Sequence, residues 1–370
     1  MRSLLPAAVL ACFLTVPRAG AEDGFRDLFN GRDLKDWKNV NCAPETWSVR
    51  DGMIHCTGKP TGALRTTRHY ENFILELEWR HLKPGGNAGV FIWSGPISAT
   101  GQPFLRAIEV QVLDHAYGKS DWFTTHGDVF PIHGSKMKPH GRHNGMRSFP
   151  SEERSKPSPE WNHYRIECND GVLRLHVNGK EVSGGSECDW RKGYIALESE
   201  GSPVDFRNIR IKELPSTGAT ETQTAPEWDG SESIYTGTDL RGWSSPGDGW
   251  KSKDWRLTHE GKAVAGAATL WTDKKYGDCE VSFDWKRPEG TEDRVGLYLG
   301  EPGGCLFGIG DTKGKWRRAT VSVKGGTAVL MIDGKEFHRA EVEVGVERKI
   351  GLFATGPAEF AGIYVRPTKK

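Results

Sequence analysis

An all-β chain, two β-sandwiches in tandem, is the fold class that the 370-residue sequence predicts, and three observations predict it. First, short runs of alternating or β-branched residues recur along the chain. They are Thr46–Arg50, Phe73–Arg80, Ala88–Trp93, Tyr164–Cys168, Val172–Val177, Tyr194–Glu198 and Phe206–Ile211. Successive side chains of a strand leave opposite faces, so a period of two marks a strand with one face buried. Hairpin signals separate the runs: Asp51-Gly52, Asn169-Asp170-Gly171 and Asn178-Gly179. These residues tolerate the positive φ of a tight primed turn. Second, no amphipathic helix of ordinary length stands out, which leaves sheets to bury the apolar faces.

The third observation is an internal repeat. Leu28-Phe-Asn-Gly-Arg-Asp-Leu-Lys-Asp-Trp37 aligns with Ile234-Tyr-Thr-Gly-Thr-Asp-Leu-Arg-Gly-Trp243. Phe73–Trp79 aligns with Cys279–Trp285, Trp161–Val182 with Trp316–Phe337 and, more loosely, Gly193–Ala196 with Lys349–Leu352. Between the copies, Pro215–Pro226 is polar, Thr-rich and bounded by proline, the composition of a linker. The expected organisation is a signal peptide over 1–21, a first sandwich over 22–214, a linker over 215–226 and a second, degenerate sandwich over 227–370.

The first 21 residues carry one positive charge, an apolar run from Leu4 to Val16 and Ala19-Gly20-Ala21, the pattern of a cleaved secretory signal. The run is too short to span a bilayer, and it continues past Cys12, which argues against lipidation at Val9-Leu10-Ala11-Cys12. The expected location is the periplasm or the exterior, with no membrane insertion after cleavage. A net charge of +1 without a basic block argues against a nucleic-acid partner. Fourteen tryptophans suit a sugar-facing protein, although tryptophan also fills sandwich cores. Cys42, Cys56, Cys168, Cys188, Cys279 and Cys305 remain beyond the leader, and an exported chain permits disulfides. Cys42–Cys56 and Cys168–Cys188 are the pairings local in sequence. No zinc-type Cys/His spacing occurs.

The copies differ where chemistry is expected. Gly89 to Trp161 spans 72 positions and the matching Gly296 to Trp316 only 20, so the first copy carries about 52 extra residues. They hold most of Glu109–Arg147, a stretch rich in Gly and Pro with five of the chain's twelve histidines. A long segment without periodicity is usually functional when the rest is scaffold. At its head Glu109 and Gln111 share one strand face, a carboxylate beside a carboxamide, suited to a base or acid next to a sugar-hydroxyl binder. The other reading is a solvent-facing polar stripe, against which Leu306 and Gly308 stand at the matching positions of copy two.

Further candidates follow by chemistry. His115, His126, Asp128 and His133 could transfer protons near neutral pH or, as a His/Asp cluster, leave a divalent metal open; no other cofactor is expected. His140 and His143 read as solvated loop histidines. Asn87, Asp114 and Arg147 are placed to contact substrate hydroxyls or a carboxylate, Glu198 could reach the same face, and Trp93 is either a sugar platform or core. Glu78 reads as scaffold, because Asp284 keeps its charge in copy two. Motifs for a serine nucleophile, a P-loop or a dinucleotide fold are absent.

Leu28–Trp37, Gly85-Gly-Asn-Ala-Gly-Val-Phe91, Glu109-Val-Gln-Val-Leu-Asp114, Pro159-Glu-Trp-Asn-His-Tyr164 and Gly201-Ser-Pro-Val-Asp-Phe-Arg-Asn208 together resemble the 3-keto-disaccharide hydrolase family. The resemblance covers Phe25 to Leu214, with five motifs in order. It implies a concanavalin A-like jelly roll and cleavage of glycosides whose C3 hydroxyl has become a ketone. The family's Glu-Val-Gln motif falls on Glu109 and Gln111. Phe123–His133 looks like a subgroup's version of a longer family segment. The chemistry this implies assigns Glu109 or His126 as base, His133 or Asp128 as proton donor, and Gln111, Asn87 or Arg147 as oxyanion and hydroxyl contacts. A glycan-binding lectin or a cell-envelope adhesion protein is the alternative, since the same sandwich hosts both.

Overall fold

The computed structural model describes residues 24–124, 126–244, 249–261, 268–300 and 304–368; the signal peptide read over 1–21 lies outside them. Four antiparallel sheets form two face-to-face pairs. In the first pair, a nine-stranded sheet is centred on Phe73–His81, flanked by Asn162–Asn169 and Val204–Glu213. It packs on a six-stranded sheet in the order Trp37–Val40, Gly62–Thr66, Tyr194–Ser199, Asn87–Ser94, Ala107–Leu113, Val129–Ile132. The second pair, with eight and five strands, repeats both neighbour orders.

Local sequence explains the ladders. Asp51-Gly52 and Asn178-Gly179 both take positive φ and close the hairpins Trp47–Cys56 and Val172–Ser186 as primed turns. Along Phe73–His81, Phe73, Leu75, Leu77 and Trp79 alternate into the core. They meet Ala88, Val90, Ile92, Ile108, Val110 and Val112 from the facing sheet. At roughly 25 cal/mol per Å² of apolar surface, this shared core is the main term that holds the two sheets together.

The extra residues of copy one form two strands that copy two lacks among the described residues. Val129–Ile132 extends the six-stranded sheet beside Ala107–Leu113, and Lys138–Pro139 extends the nine-stranded sheet beside Lys180–Ser186. The insertion is thus stapled to both sheets and folds over one end of the six-stranded sheet. Every residue of Ala107–Leu113 is buried in consequence, on both faces. The solvent-facing stripe considered for Glu109 and Gln111 is therefore excluded.

Part of that outer face is covered by the second sandwich. Phe91, Leu105, Ala107 and Ala196 form an apolar cluster with Trp228 and Tyr364. The local cysteine pairings do not form: all six described cysteines are free thiols, Cys42 beside Cys56 and Cys168 beside Cys188. Cys42 Sγ instead donates to the Pro60 carbonyl, at 3.7 Å, and Cys56 Sγ accepts the Gly58 amide, at 3.3 Å.

Candidate active site

Period-two geometry builds the site. Ala107–Leu113 runs antiparallel to Asn87–Ser94, with Glu109 opposite Phe91 and Gln111 opposite Gly89. On the other flank Ala196 faces Phe91, and Glu200 bridges to Asn87, which puts Glu198 beside Gly89. Three carboxylates therefore share one face. A β-carbon at Gly89 would lie 2.9 Å from Glu198 Oε2 and 3.0 Å from Glu109 Oε1. Those oxygens are no more than about 6 Å apart, and they occupy the room that the missing side chain leaves.

Burial sets the electrostatics. Glu109 is 6% exposed and Glu198 1%. Burial first, then the charges of Glu200 and Asp128, raise the Glu109 carboxyl to about 8, with Arg147 opposing. Glu198 is pushed well above the ordinary carboxylate range too, by burial and then by Glu109 and Glu200, and its Oε2 has no hydrogen-bond partner. Glu200 is raised by burial, offset by the hydrogen bond it accepts from Asn87. A buried carboxylate without a partner is costly, so the cluster holds protons at neutral pH that ordinary carboxylates have lost.

A polar chain continues from the trio. Gln111 Nε2 donates to Asn87 Oδ1 (2.9 Å) and to the Ala88 carbonyl (3.2 Å). Arg147 Nη1 donates to Gln111 Oε1 (3.3 Å) and Asp128 Oδ2 (3.1 Å), while its guanidinium lies 3.4 Å from the centroid of the Phe130 ring. Arg147 Nε is buried without an acceptor. These groups border a pocket of about 270 Å³ walled by Phe104, Phe130, Ile132 and His133, with Tyr117 and Phe123 at its edge. His133 stacks on Phe104 at 6.2 Å, and burial pushes its imidazole pKa down, towards the neutral form. Larger hollows exist, about 540 Å³ on the second sandwich and about 580 Å³ beside His126. Neither is lined by the carboxylate trio, so volume does not pick the site here.

The structure gathers Asn87, Glu109, Gln111, His133, Arg147 and Glu198 into this pocket. It moves five other candidates out. Trp93 is core: it is 1% exposed and its Nε1 donates to the Glu71 carbonyl. A register shift opposite it and its own φ of 51° break the strand's parity and turn the ring inward. Asp114 accepts the amides of Gly85, Ala116 and Ser158, so it pins loops rather than substrate. Asp128 is wholly buried behind Arg147, held also by Thr124. His126 is 1% exposed, and its Nε2 accepts the amides of Arg154 and Ser155. Burial then lowers its pKa to about 4. His115 stacks on His126 and is engaged by Ser155 and Glu153.

His115, His126 and Glu153 do bring one potential ligand atom each within 4.8 Å of one another, the arrangement among the described residues that could hold a metal. That group lines no part of the carboxylate pocket. Four features escaped sequence reading: Glu200, the clearance at Gly89, and the walls Phe104 and Phe130. Glu198-Ser-Glu200 repeats the spacing of Glu109 and Gln111, so the same rule of two finds Glu200.

Residues 24–212 match the model of the 3-keto-alpha-glucoside-1,2-lyase-like domain. A 3-keto-disaccharide hydrolase of Bacteroides thetaiotaomicron is 24% identical over 240 residues, covering 52% of this chain and 79% of that protein. Among solved structures, a candidate glycosyl hydrolase of Parabacteroides distasonis is 24% identical, with a TM-score of 0.42 over 52% of this chain and 95% of that one. A carbohydrate-binding module of Bacillus subtilis is 12% identical, with a TM-score of 0.35 over 48% of this chain and 96% of that one. The family match spans half of the chain, and the protein belongs to the 3-keto-alpha-glucoside-1,2-lyase-like enzyme family.

Proposed function

We propose that this protein is an exported enzyme that cleaves glycosidic bonds of 3-keto-glycosides by general acid–base elimination followed by hydration. The observation that carries the reading is the pair Glu109 and Glu198, buried on either side of Gly89 with half-buried Glu200 beside them, all three raised towards the protonated form by burial. A C3 ketone acidifies the C2 hydrogen. Glu109, the member of the trio whose proton Arg147 helps to release, removes it as a base. The C2–H electrons form the C1=C2 double bond and the C1–O bond breaks. The departing oxygen takes its proton from Glu198, whose carboxyl burial holds well towards the protonated form on the other side of Gly89. Water then adds at C1 and a proton returns to C2, which makes the net reaction hydrolysis.

Negative charge develops on the ketone oxygen in the transition state. Arg147, with Nε unpaired, and the second Nδ2 hydrogen of Asn87 are the donors for it and for neighbouring hydroxyls, while Gln111, whose amide hydrogens are both engaged, holds Asn87 and Arg147 in place. Asp128 fixes the guanidinium and is a positioning residue. The paired-carboxylate separations of ordinary glycosidases do not apply, because no water or nucleophile attacks C1 in the first step. His115, His126 and Glu153 lie off this path, so the chemistry routes no step through a metal.

The test is aglycone release from a 3-keto-glucoside and from its unoxidised parent, with and without chelator, using the chain from residue 22. Release from the keto substrate alone, unchanged by chelator, is the expected result. Equal release from both substrates, or binding of glycans without release, would overturn the reaction; loss with chelator would overturn the metal-free route.

A further inference from the structure

We propose that the second sandwich is a working part of the pocket, with Asp284, Arg318 and Tyr364 as positioning residues for the hairpin that carries Phe104. The inference rests on reading the pocket as the keto-glycoside site. The hairpin joins Asn87–Ser94 to Ala107–Leu113, and its tip lies beyond the Ser98–Leu105 bridge, over Ala99–Phe104. Within it the Ala99 amide donates to the Phe104 carbonyl (2.8 Å) and the Gln102 amide to the Ala99 carbonyl (2.9 Å). Phe104 thereby stands against His133 as one wall of the pocket.

The tip is held from outside its own sandwich. Arg318 and Asp284 face each other across neighbouring strands and form a two-pronged pair at 2.7 and 2.9 Å. Arg318 Nη2 also donates to the Ser98 carbonyl (2.8 Å), and Asp284 Oδ2 accepts the Gly101 amide (2.9 Å). The Tyr364 hydroxyl accepts the Ser98 amide at 3.2 Å and lies 3.0 Å from Ser98 Oγ and 2.9 Å from Asn41 Oδ1. Gly101, at φ +67°, sits so close to Trp316 that a β-carbon would fall 2.2 Å from its ring. Asp284 is fully buried, which makes these bonds strong and their loss expensive.

The held segment is also next to the chemistry. Phe91, in the apolar contact with Tyr364, is the residue opposite Glu109 on the sheet. A shift of the second sandwich is therefore felt both at the pocket floor and, through the Ala99–Phe104 pair, at its wall.

Two mild variants test this. Tyr364→Phe deletes only a hydroxyl, and Arg318→Lys keeps the charge but loses the planar fork that reaches Asp284 and Ser98 together. Both are compared with wild type by amide hydrogen exchange without substrate and by steady-state kinetics on a 3-keto-glucoside. Exchange over 95–106 should speed up roughly tenfold, with 107–113 unchanged. KM should rise about fivefold with kcat little altered, and Tyr364→Phe should show the smaller effect. Unchanged exchange over 95–106 would overturn the bracing. Faster exchange with unchanged KM would overturn the positioning role. If wild type cleaves no keto-glycoside, the reaction fails by itself, and the exchange comparison still decides whether the second sandwich holds the hairpin.

Discussion

The two sandwiches share a frame and differ at one place on it. Gly89 and Gly296 occupy the same point of the sheet, with Gln111 across from the first and Gly308 across from the second. Where copy one has Glu109 opposite Phe91, copy two has Leu306 opposite Tyr298. On the other flank Phe353 faces Gly296, where copy one places Glu198. Polarity and burial are inverted between them: Leu306 is 39% exposed, whereas Glu109 is 6% exposed. Residue type alone predicts the opposite. What decides is the cover, because Val129–Ile132 and the segments around it close over the carboxylates of copy one. The difference teaches that the insertion makes the site as much as the carboxylates do: it removes water and so holds their protons in place.

The strongest way to break the comparison is to make copy one resemble copy two at its centre. Glu109→Gln should lower kcat/KM on a 3-keto-glucoside on the order of 10²–10⁴-fold. The same change should stabilise the protein at alkaline pH. The folded carboxyl sits at about 8 against an ordinary 4.5, so the folded state holds a proton that the unfolded chain has released. Stability contributed below pH 4.5 is lost as pH rises through 8, and glutamine escapes that loss. Thermal unfolding should show Tm of the variant exceeding wild type by roughly 2–6 °C at pH 8.5, with the gap closing at pH 5. A variant both inactive and less stable at pH 8.5 would contradict the buried, protonated carboxyl.

Filling the cleared space comes next. Gly89→Ala puts a methyl group against both carboxylates and should cost about 10–100-fold in kcat/KM, more in kcat than in KM, with the fold retained by circular dichroism. Unaltered kinetics would mean that Glu109 and Glu198 need not meet over Gly89. Arg147→Lys keeps the charge but not the fork between Gln111 and Asp128, and an intermediate loss of about tenfold in kcat is expected. Smallest of all should be the displaced candidates. His115→Ala and Trp93→Phe should change kcat/KM less than about threefold, while Trp93→Phe lowers Tm through the lost bond to Glu71. A tenfold kinetic effect at His115 would return attention to its cluster with His126 and Glu153.

Much of this was legible in the sequence because strands obey a period of two and the copies can be laid side by side. That reasoning identified Glu109, Gln111 and Asn87, and the same period reaches Glu200 from Glu198. Trp93 was not legible: a local register shift and a left-handed residue reverse the parity of its strand, and neither is written in the alternation. The histidines were not legible either. Which of His115, His126 and His133 meets the carboxylates depends on how a segment without periodicity is stapled to two sheets. Only His133 reaches the pocket, through its place just after Val129–Ile132.

The central claim is that a buried carboxyl of copy one, shielded by the insertion, is the base. Its most direct test is the pH dependence of kcat/KM on a 3-keto-glucoside for wild type and Glu109→Gln. The account predicts a wild-type rate that climbs with an apparent pKa near 8 and no climbing limb in the residual activity of the variant. A wild-type rate already flat from pH 5 to 9, or a climbing limb that survives in Glu109→Gln, would contradict it.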